Sequence, residues 1–472
     1  MKNLPFFCHY ICGLTIKYLQ GGRIVIDMDL NIVIKALTDT NDKDNNVRKE
    51  AERVLNELTN APGFFPALLS ILSQDGLPHT LKQSASIALK NRLRNRYDTD
   101  SSNAISAEDK AVLRQNIIPV LCSQQDISVA HLMGLAVQEI TSADFAQWPE
   151  CISQIESEMQ SGNLQHFYNA IYVILVIVSD CMLRCFQYRT TKEPVHQLTQ
   201  HFFPAILQWI QTSFKASPSQ ENLQILHLVV KMYYTSLDLS EMDQSVIAIN
   251  DLSTWIPLLC QLIQMPAINP ENNDPTVSVQ EKATFPEWHV KKWCMTTILR
   301  VNHNFLNMKD HQEYNVWIQN FAPSILTMVL EQLNVYKTSV YYYNKVAIKL
   351  FTFLKDITDI AVLYRSLKTH MPFIINEVLP KALALTKEEV ELWKEDPIQF
   401  VVHVHDMYYE FSNVRVEAGN FLVYLSKVRA NDILALFLNY LTESFNVYDN
   451  TNPEQRDFLA KEWMLIILEC RW

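Results

Sequence analysis

Glycine is scarce here. Only 8 of the 472 residues are glycine, about 2% against an average near 7%. Hairpins, dinucleotide-binding turns and phosphate loops all consume glycine, because they need positive φ or close backbone approach. A chain this poor in glycine is expected to be all helical. So few glycines also allow a complete motif check. No GxGxxG, GxxxxGK or GxSxG occurs, which excludes phosphate loops and nucleophile elbows in their usual forms.

Other signatures are missing too. The nine cysteines make no CxxC pair, and an odd, scattered set reads as reduced thiols. Cys8/Cys12 and Cys181/Cys185 are spaced i, i+4, the spacing of two small apolar residues on one helical face. HExxH is absent, and His403 with His405 forms an HxH pair that a helix would point to different faces. His311-Gln312-Glu313 matches the first piece of a deaminase signature but lacks its PCxxC partner. Glu388 and Glu389 are adjacent carboxylates read as solvated. No catalytic constellation, metal site or cofactor site is expected. Nor does any run reach the roughly 18 apolar residues that span a bilayer; Ile171–Val178 has the length of a buried helical segment.

Positive charge is in deficit, with 40 basic against 51 acidic residues and a net charge of −11. That balance argues against nonspecific DNA binding and favours basic partners. Hydrophobic residues, at 48%, are ample for a core and exclude global disorder.

The first 27 residues fit the rest poorly. Lys2 and the apolar-leaning run Leu4–Ile16 faintly resemble a signal peptide. His9, Tyr10 and Thr15 interrupt that run, and Lys17–Arg23 offers no clear cleavage site. The helical chain is expected to begin at Met28, with Asp29 opening Leu30–Leu37. Residues 1–27 are then a poorly ordered extension outside the array.

What the chain has in quantity is repetition. Asn46-Val47-Arg48-Lys49-Glu50-Ala51 returns as Asn413-Val414-Arg415-Val416-Glu417-Ala418. Each copy opens an apolar helical pattern, Val54, Leu55 and Leu58 in one and Phe421, Leu422 and Leu425 in the other. A second signature sets apolar residues before a proline, as in Phe64-Phe65-Pro66, Ile117-Ile118-Pro119, Phe202-Phe203-Pro204, Trp255-Ile256-Pro257, Phe321-Ala322-Pro323 and Val378-Leu379-Pro380. Gln147-Trp148-Pro149 is a looser copy. By subtraction the prolines fall 53, 30, 55, 53, 66 and 57 residues apart. Kinked helices at that cadence suit a HEAT-type array of units of about 40 residues.

Between the prolines the helical period holds. Phe64, Phe65, Leu68, Leu69 and Leu72 line one face, as do Leu434, Phe437, Leu438 and Leu441. The expected fold is an all-α, HEAT-like helical-repeat solenoid, about nine antiparallel helix pairs forming a superhelical arch. Pro266–Pro286 reads as a proline-rich polar loop, and Thr386–Pro397, with five acids, as an acidic one. Phe458–Trp472 is still apolar when the sequence stops, without a polar cap, so the array reads as truncated.

Thr80–Arg96 carries Lys82, Lys90, Arg92, Arg94 and Arg96 and no acid. Leu81, Ala85 and Ala88 form its buried stripe, with Gln83, Lys90 and Arg94 about opposite and Asn91 at the flank. It is either a solvated helix face or a cationic surface for an acidic partner or RNA. Aromatics are not interleaved along it, so single-stranded nucleic acid is the weaker choice.

Several stretches carry a resemblance. Arg48, Ala51-Glu52-Arg53-x-Leu55, the run Phe65–Leu72 and Gln83-x-Ala85-x-x-x-Leu89-Lys90-Asn91 resemble the N-terminal domain of the importin-β superfamily. Phe285-Pro286-Glu287-Trp288-His289-Val290-Lys291-Lys292-Trp293 is similar to the PWWKxKKW segment of the importin-7/importin-8 branch, with Glu287 in place of the first tryptophan. Glu391-Leu392-Trp393-Lys394-Glu395-Asp396-Pro397 is similar to the branch's ELWxEDP, and Met28–Leu37 to its start. The resemblance covers about 28–472, the N-terminal half of such a protein.

The resemblance implies the N-terminal domain over 28–127, with core motif 51–125, and further HEAT-like repeats over 128–472. It also implies a nuclear import receptor. Such karyopherins bind basic protein cargo in the cytoplasm, pass the pore by weak contacts with phenylalanine-glycine nucleoporins, and release cargo when Ran-GTP binds the first repeats. They work as monomers in the cytoplasm, the nucleus and at pores of the nuclear envelope. Ran would meet the inner helices, which makes Lys90, Asn91 and Arg94 the GTPase-contact candidates. Shallow grooves between outer helices would each take a phenylalanine. Rival readings are a generic HEAT scaffold and an RNA-carrying export relative.

Overall fold

The structure, a computed structural model, describes residues 28–98, 104–188, 190, 192–213, 218–237, 249–404 and 413–469. Residues 1–27, with Cys8 and Cys12, lie outside the described residues, as does His405. Among the described residues every regular element is a helix, in two compact units that divide between Leu237 and Asp238.

In the first unit the helices of eight residues or more are α1 Leu30–Asp39, α2 Asn45–Leu58, α3 Phe64–Ser73, α4 His79–Arg96 and α5 Ala107–Cys122. After them come α6 Ile127–Asp144, α7 Glu150–Met159, α8 Leu164–Tyr188, α9 Glu193–Ser213 and α10 Gln220–Ser236. Short polar side chains start them. Asp29, Asp44, Ser106, Asp126 and Ser219 each accept a first-turn N–H at α1, α2, α5, α6 and α10, which satisfies donors that a helix leaves unpaired. Helices α3, α4, α5 and α6 pack as successive antiparallel pairs, as do α7 with α8 and α9 with α10. The first members of the pairs form one layer, and α4, α6, α8 and α10 stack on one another as a second. Each stripe is thus buried by its own partner and by the next pair along.

α8 has the length and apolar composition to cross a bilayer, but most of that stretch is covered by protein. Ile171, Val173, Ile174, Ile177 and Val178 are fully or almost fully buried, between α6 and α10. One polar residue interrupts the apolar run. Asn169 is fully buried, and its Nδ2 donates to the carbonyls of Cys122 (3.0 Å) and Gln124 (2.9 Å). It supplies partners for the C-terminal carbonyls of α5.

Two of the glycines have distinct backbone reasons. Gly63, at φ +84°, starts α3, and its N–H donates to the buried Asp109 carboxylate at 3.2 Å. Burial pushes that carboxyl up to about 6. Gly134 on α6 faces Tyr172 of α8, and a Cβ there would sit 2.5 Å from Tyr172 Cε1. The ring cannot slide freely, because it stacks on His131 at 4.3 Å. Overpacking costs about 1–3 kcal/mol while better helix propensity returns about 1. Gly134→Ala should therefore lower the stability of this unit by about 1–2 kcal/mol in urea unfolding. A Tyr172→Ala background should remove that penalty, read as coupling in a double-mutant cycle.

The second unit contains α11 Ile249–Gln264, α12 Pro286–Leu306, α13 Ala322–Thr338, α14 Asn344–Ile357 and α15 Ala361–Lys368. α16 Lys387–Glu395, α17 Pro397–Val404, α18 Val414–Asn450 and α19 Phe458–Glu469 follow. α11 and α13 pack side by side, α12 and α14 do the same beneath them, and α14 continues onto α18. α18 is two helices joined at Arg429, which leaves helical geometry at φ −131°. Its guanidinium donates to Thr358 O at 2.9 Å and lies 4.2 Å over the Tyr364 ring.

Within each unit the proline cadence marks one layer. Pro66, Pro119, Pro149, Pro204, Pro257, Pro323 and Pro380 all fall in or at the start of the first helix of a pair, and the apolar residues ahead of them are core, Ile117, Phe202, Trp255 and Val378 among them. The prolines are accommodated in two ways. Pro119, Pro204 and Pro257 lie inside α5, α9 and α11. Pro323 and Pro380 instead follow π-turns, Trp317–Phe321 and Ile374–Val378, where Ala322 N bonds Trp317 O and Leu379 N bonds Ile374 O. The wider turn accommodates a residue that has no N–H and whose ring clashes with the carbonyl four back.

Three expectations are corrected. Thr386–Pro397 is not a loop but α16, and a capping box at Thr386 and Glu389 holds its start. Glu389 is correspondingly not solvated: it is 6% exposed and accepts from Thr386 N and Asn413 Nδ2. In α18 the buried stripe is Ile433, Phe437 and Leu441, while Leu434 and Leu438 are exposed; the kink at Arg429 resets the helical phase. The stretch 266–286 is partly helical, with turns at Pro270–Asn273 and Val279–Lys282.

Candidate functional site

The two Asn-Val-Arg copies share a position more than a role. In the first, Asp44 caps the helix and Arg48 donates to Asp42 O (2.7 Å) and Lys43 O (2.9 Å), fastening the turn between α1 and α2. In the second, Asn413 itself is the cap and also donates to Glu389. Ala51 and Ala418 are buried in both.

The resemblance-bearing residues divide by burial. Ala51, Leu55, Ala85 and Leu89 are core, where α1, α3 and α6 pack on α2 and α4. Glu52 and Asn91 are exposed, and Gln83 and Lys90 are half-buried. The stripe of α4 runs through Leu81, Ala85, Ser86, Ala88, Leu89 and Leu93, so its open face is Ile87, Asn91, Arg94 and Asn95 with Lys90 at one edge.

The basic residues of α4 do not act alike. Arg92 is turned onto α2, where its Nε donates to Thr59 Oγ1 at 2.7 Å and its Nη2 lies 3.8 Å from Glu52. The guanidinium also lies over Phe64 at 5.9 Å. Arg96 donates to Asn60 Oδ1 on the same side. Lys90 and Arg94 face the other way, toward α6. Arg94 Nε lies 3.9 Å from Glu139 Oε1, with its side chain 73% exposed. Burial raises the Glu139 carboxyl above its ordinary value, Asp180 adds to that, and Arg94 and Lys90 pull it back. The polar line continues along the second layer: Asp180 on α8 accepts from Gln138 Nε2 (3.0 Å) and Ser142 Oγ (2.8 Å) and pairs with Arg184 at 2.7 Å. The structure thus brings Lys90, Asn91 and Arg94 onto one accessible ledge and takes Arg92 and Arg96 out of it. Sequence reading missed the Arg92 clasp, whose signal was the hydroxyl and amides of Asn56, Thr59 and Asn60 at the end of α2.

The first layer opens differently. α7, α8 and α9 leave a groove of about 310 Å³ lined by Met159, Phe167, Phe202, Ala205 and Trp209, with His201, Glu156 and Gln208 at its rim. Phe167 and Trp209 stack at 5.0 Å, and His201 Nε2 spans the rim to Glu156 Oε2 at 3.2 Å.

Among the described residues no group of three or more His, Cys, Asp or Glu is placed to hold a metal ion. The six described cysteines are free thiols, and all but Cys185 are buried.

This geometry defines a HEAT-like helical-repeat protein with a polar second layer and an apolar groove in the first. The family profile "Importin-beta N-terminal domain" matches residues 51–123. The Importin beta-like SAD2 homolog of Arabidopsis thaliana is 24% identical over 429 residues, 89% of this chain and 40% of that protein. Importin-8 of Mus musculus is 23% identical over 91% of this chain and 43% of its own length. Among solved structures, the exportin Cse1 in its cargo-free, cytoplasmic state superposes with a TM-score of 0.67 at 17% identity, covering 94% of this chain and 46% of that one. The Kap95:Nup1 complex gives 0.56 at 14% identity, covering 94% and 46%. The chain resembles the importin-β N-terminal domain over residues 51–123 and importins of the importin-7/importin-8 branch over about nine-tenths of its length. It spans about two-fifths of the curated relatives it matches.

Proposed function

We propose that this chain is the GTPase-sensing and pore-contacting part of a nuclear import receptor that binds Ran-GTP and carries basic protein cargo between cytoplasm and nucleus. The observation that carries the reading is the ledge of Lys90, Asn91 and Arg94 on α4, inside the stretch that matches the importin-β N-terminal domain. Two cations sharing one half-buried carboxylate, Glu139, are arranged to exchange it for an acidic group on a partner, with a gain that salt weakens. The groove at Phe167, Phe202 and Trp209 fits a phenylalanine ring held weakly enough for rapid exchange, and Kap95, a structural neighbour, is complexed with the nucleoporin Nup1. The net charge of −11 favours basic cargo.

The test is binding of immobilised chain to Ran loaded with GTP or GDP. The GTP form should bind selectively, and Lys90→Ala with Arg94→Ala should weaken it about tenfold, as for two charge contacts of about 0.7 kcal/mol each. Equal binding of both nucleotide forms would sink the reading. An RNA carrier is disfavoured, because Arg92 and Arg96 are turned onto α2 and leave little continuous basic surface.

A further inference from the structure

In the second unit several tyrosine rings lie under a cation. Lys381 Nζ lies 5.1 Å from the ring centre of Tyr336, and the Arg429 guanidinium 4.2 Å from that of Tyr364. Those rings are 7% and 4% exposed, and both cations also hold backbone carbonyls, so the contacts belong to the core. Tyr448 is different. It lies half-buried in the last turn of α18, and two cations from beyond that helix reach it. Arg456, in the turn that follows, lies 5.4 Å from the ring centre, and Lys461, at the start of α19, lies 4.5 Å from it.

Charge around this ring is unbalanced. Arg456 donates through Nε to Thr451 O at 3.1 Å and through Nη2 to Asp449 O at 2.8 Å, which fixes its guanidinium at the end of α18. Among the described residues neither Arg456 nor Lys461 pairs with a carboxylate, and nothing hydrogen-bonds the Tyr448 hydroxyl. A cation over a partly exposed ring gains far less than one hydrogen-bonded to an ionised group. The two cations thus converge on a neutral hydroxyl whose modification would supply the missing negative charge. Its surroundings are open: Val447 is 68% exposed, and Asp449 and Asn450 are exposed as well. Opening of one terminal turn presents Tyr448 in extended backbone.

We propose that Tyr448 is a phosphorylation site whose phosphoryl group is held by Arg456 and Lys461. A tyrosine kinase transfers the γ-phosphoryl of ATP. Tyr448 Oη bonds to phosphorus as its O–H bond breaks, the bridging P–O bond to the β-phosphate breaks, and ADP and a proton leave. The product carries about −1.5 to −2 charge at pH 7 and three acceptor oxygens. At a helix C-terminus such a group is unfavourable by itself. Here Lys461, on a flexible stem, needs only to leave the ring face to meet it, and Arg456 presents the Nη1 edge that its carbonyl bonds leave free. The phosphate then clasps the end of α18, the turn after it and α19, whose start is capped by Asp457. This clasp stands on the α18–α19 turn alone and does not depend on the transport reading.

The experiment treats the 472-residue chain with the catalytic domain of a broad-specificity tyrosine kinase and MgATP, and maps the phosphate by mass spectrometry. Wild type should be modified at Tyr448, and Tyr448→Phe should lose the label from that peptide. The phosphorus NMR resonance that Tyr448→Phe lacks should titrate at a pH at least about 0.5 below the ordinary value of about 6. Arg456→Gln/Lys461→Gln should return it to about 6. Amide exchange over 446–469 should slow on phosphorylation of wild type and stay unchanged on phosphorylation of this variant. Should the double variant lose its helical circular dichroism, Lys461→Gln alone carries the same comparison. A chain left unmodified at Tyr448 overturns the proposal. So does a phosphate on Tyr448 that titrates and exchanges alike with and without the two cations, which would mark a solvated phosphotyrosine.

Discussion

Trp288→Ala should be among the most damaging substitutions in the second unit, lowering its stability by about 3–5 kcal/mol. The indole is 2% exposed and meets Tyr341 and Tyr342 edge-on at 5.5 and 5.2 Å. Truncation removes those contacts and leaves a cavity in a region with no spare side chain to fill it. It also breaks a polar chain. Trp288 Nε1 donates to Asn272 Oδ1 at 2.8 Å, and Asn272 Nδ2 donates to Asn269 O (2.8 Å) and Glu287 Oε1 (2.9 Å). That chain fastens the 266–285 segment onto the start of α12. Trp288→Phe separates the two effects, since it keeps most of the volume and orphans Asn272, at about 1–3 kcal/mol. Urea unfolding gives the totals, and hydrogen exchange over 266–306 shows where they act. A Trp288→Ala protein with wild-type exchange in that segment would falsify the account.

The second expected result is a rise with pH, from about 8 toward 10.5, in the contribution of Lys291 to the stability of the same unit, superposed on an opposing fall above about pH 9 from the buried Cys260 and Cys294 thiols. This ammonium is 2% exposed, donates to Ile263 O at 2.7 Å and lies 5.6 Å from the Trp288 ring centre. Burial pushes it down to about 8 from its ordinary 10.5, with Cys294 and Glu287 opposing. For a base with a depressed folded-state value, the cost of burying charge is complete below about 8. It is relieved as pH rises from there toward 10.5. The gain is of order 3 kcal/mol. Lys291→Met removes the titrating group and should flatten that rise, while orphaning the Ile263 carbonyl at about 1–3 kcal/mol independent of pH. The comparison of slopes, not of stabilities at one pH, isolates the lysine. Identical slopes in the two proteins would assign the rise to another group.

Much of the fold was legible. Eight glycines, seven prolines at a repeating cadence and an unbroken 3.6-residue period lead to stacked helix pairs, because each rests on local backbone chemistry. The exceptions are instructive. Thr386-x-x-Glu389 is a capping box written in the sequence, yet the density of acids around it suggested a loop. Charge was weighed where capping decided. Leu434 and Leu438 fitted the helical period but belong to a phase reset by the non-helical Arg429, and no pattern of apolar residues encodes a kink fixed by a bond to Thr358 O.

The site was legible only in part. Sequence alone placed Gln83, Lys90 and Arg94 about opposite the buried stripe of α4 with Asn91 at its flank, because angular position on a helix follows from residue number, whereas the structure puts Asn91 on the open face and Lys90 at its edge. It determined the all-helical class, the pairing cadence and the resemblance to the importin-β superfamily. Tertiary structure decided which charges are available. It turned Arg92 onto Thr59, gave Lys90 and Arg94 a shared carboxylate, and set Arg456 and Lys461 over the Tyr448 ring. The reason is the range of the forces. Capping, proline geometry and helical period act within a turn or two, whereas ion pairing and like-charge repulsion depend on which helices become neighbours.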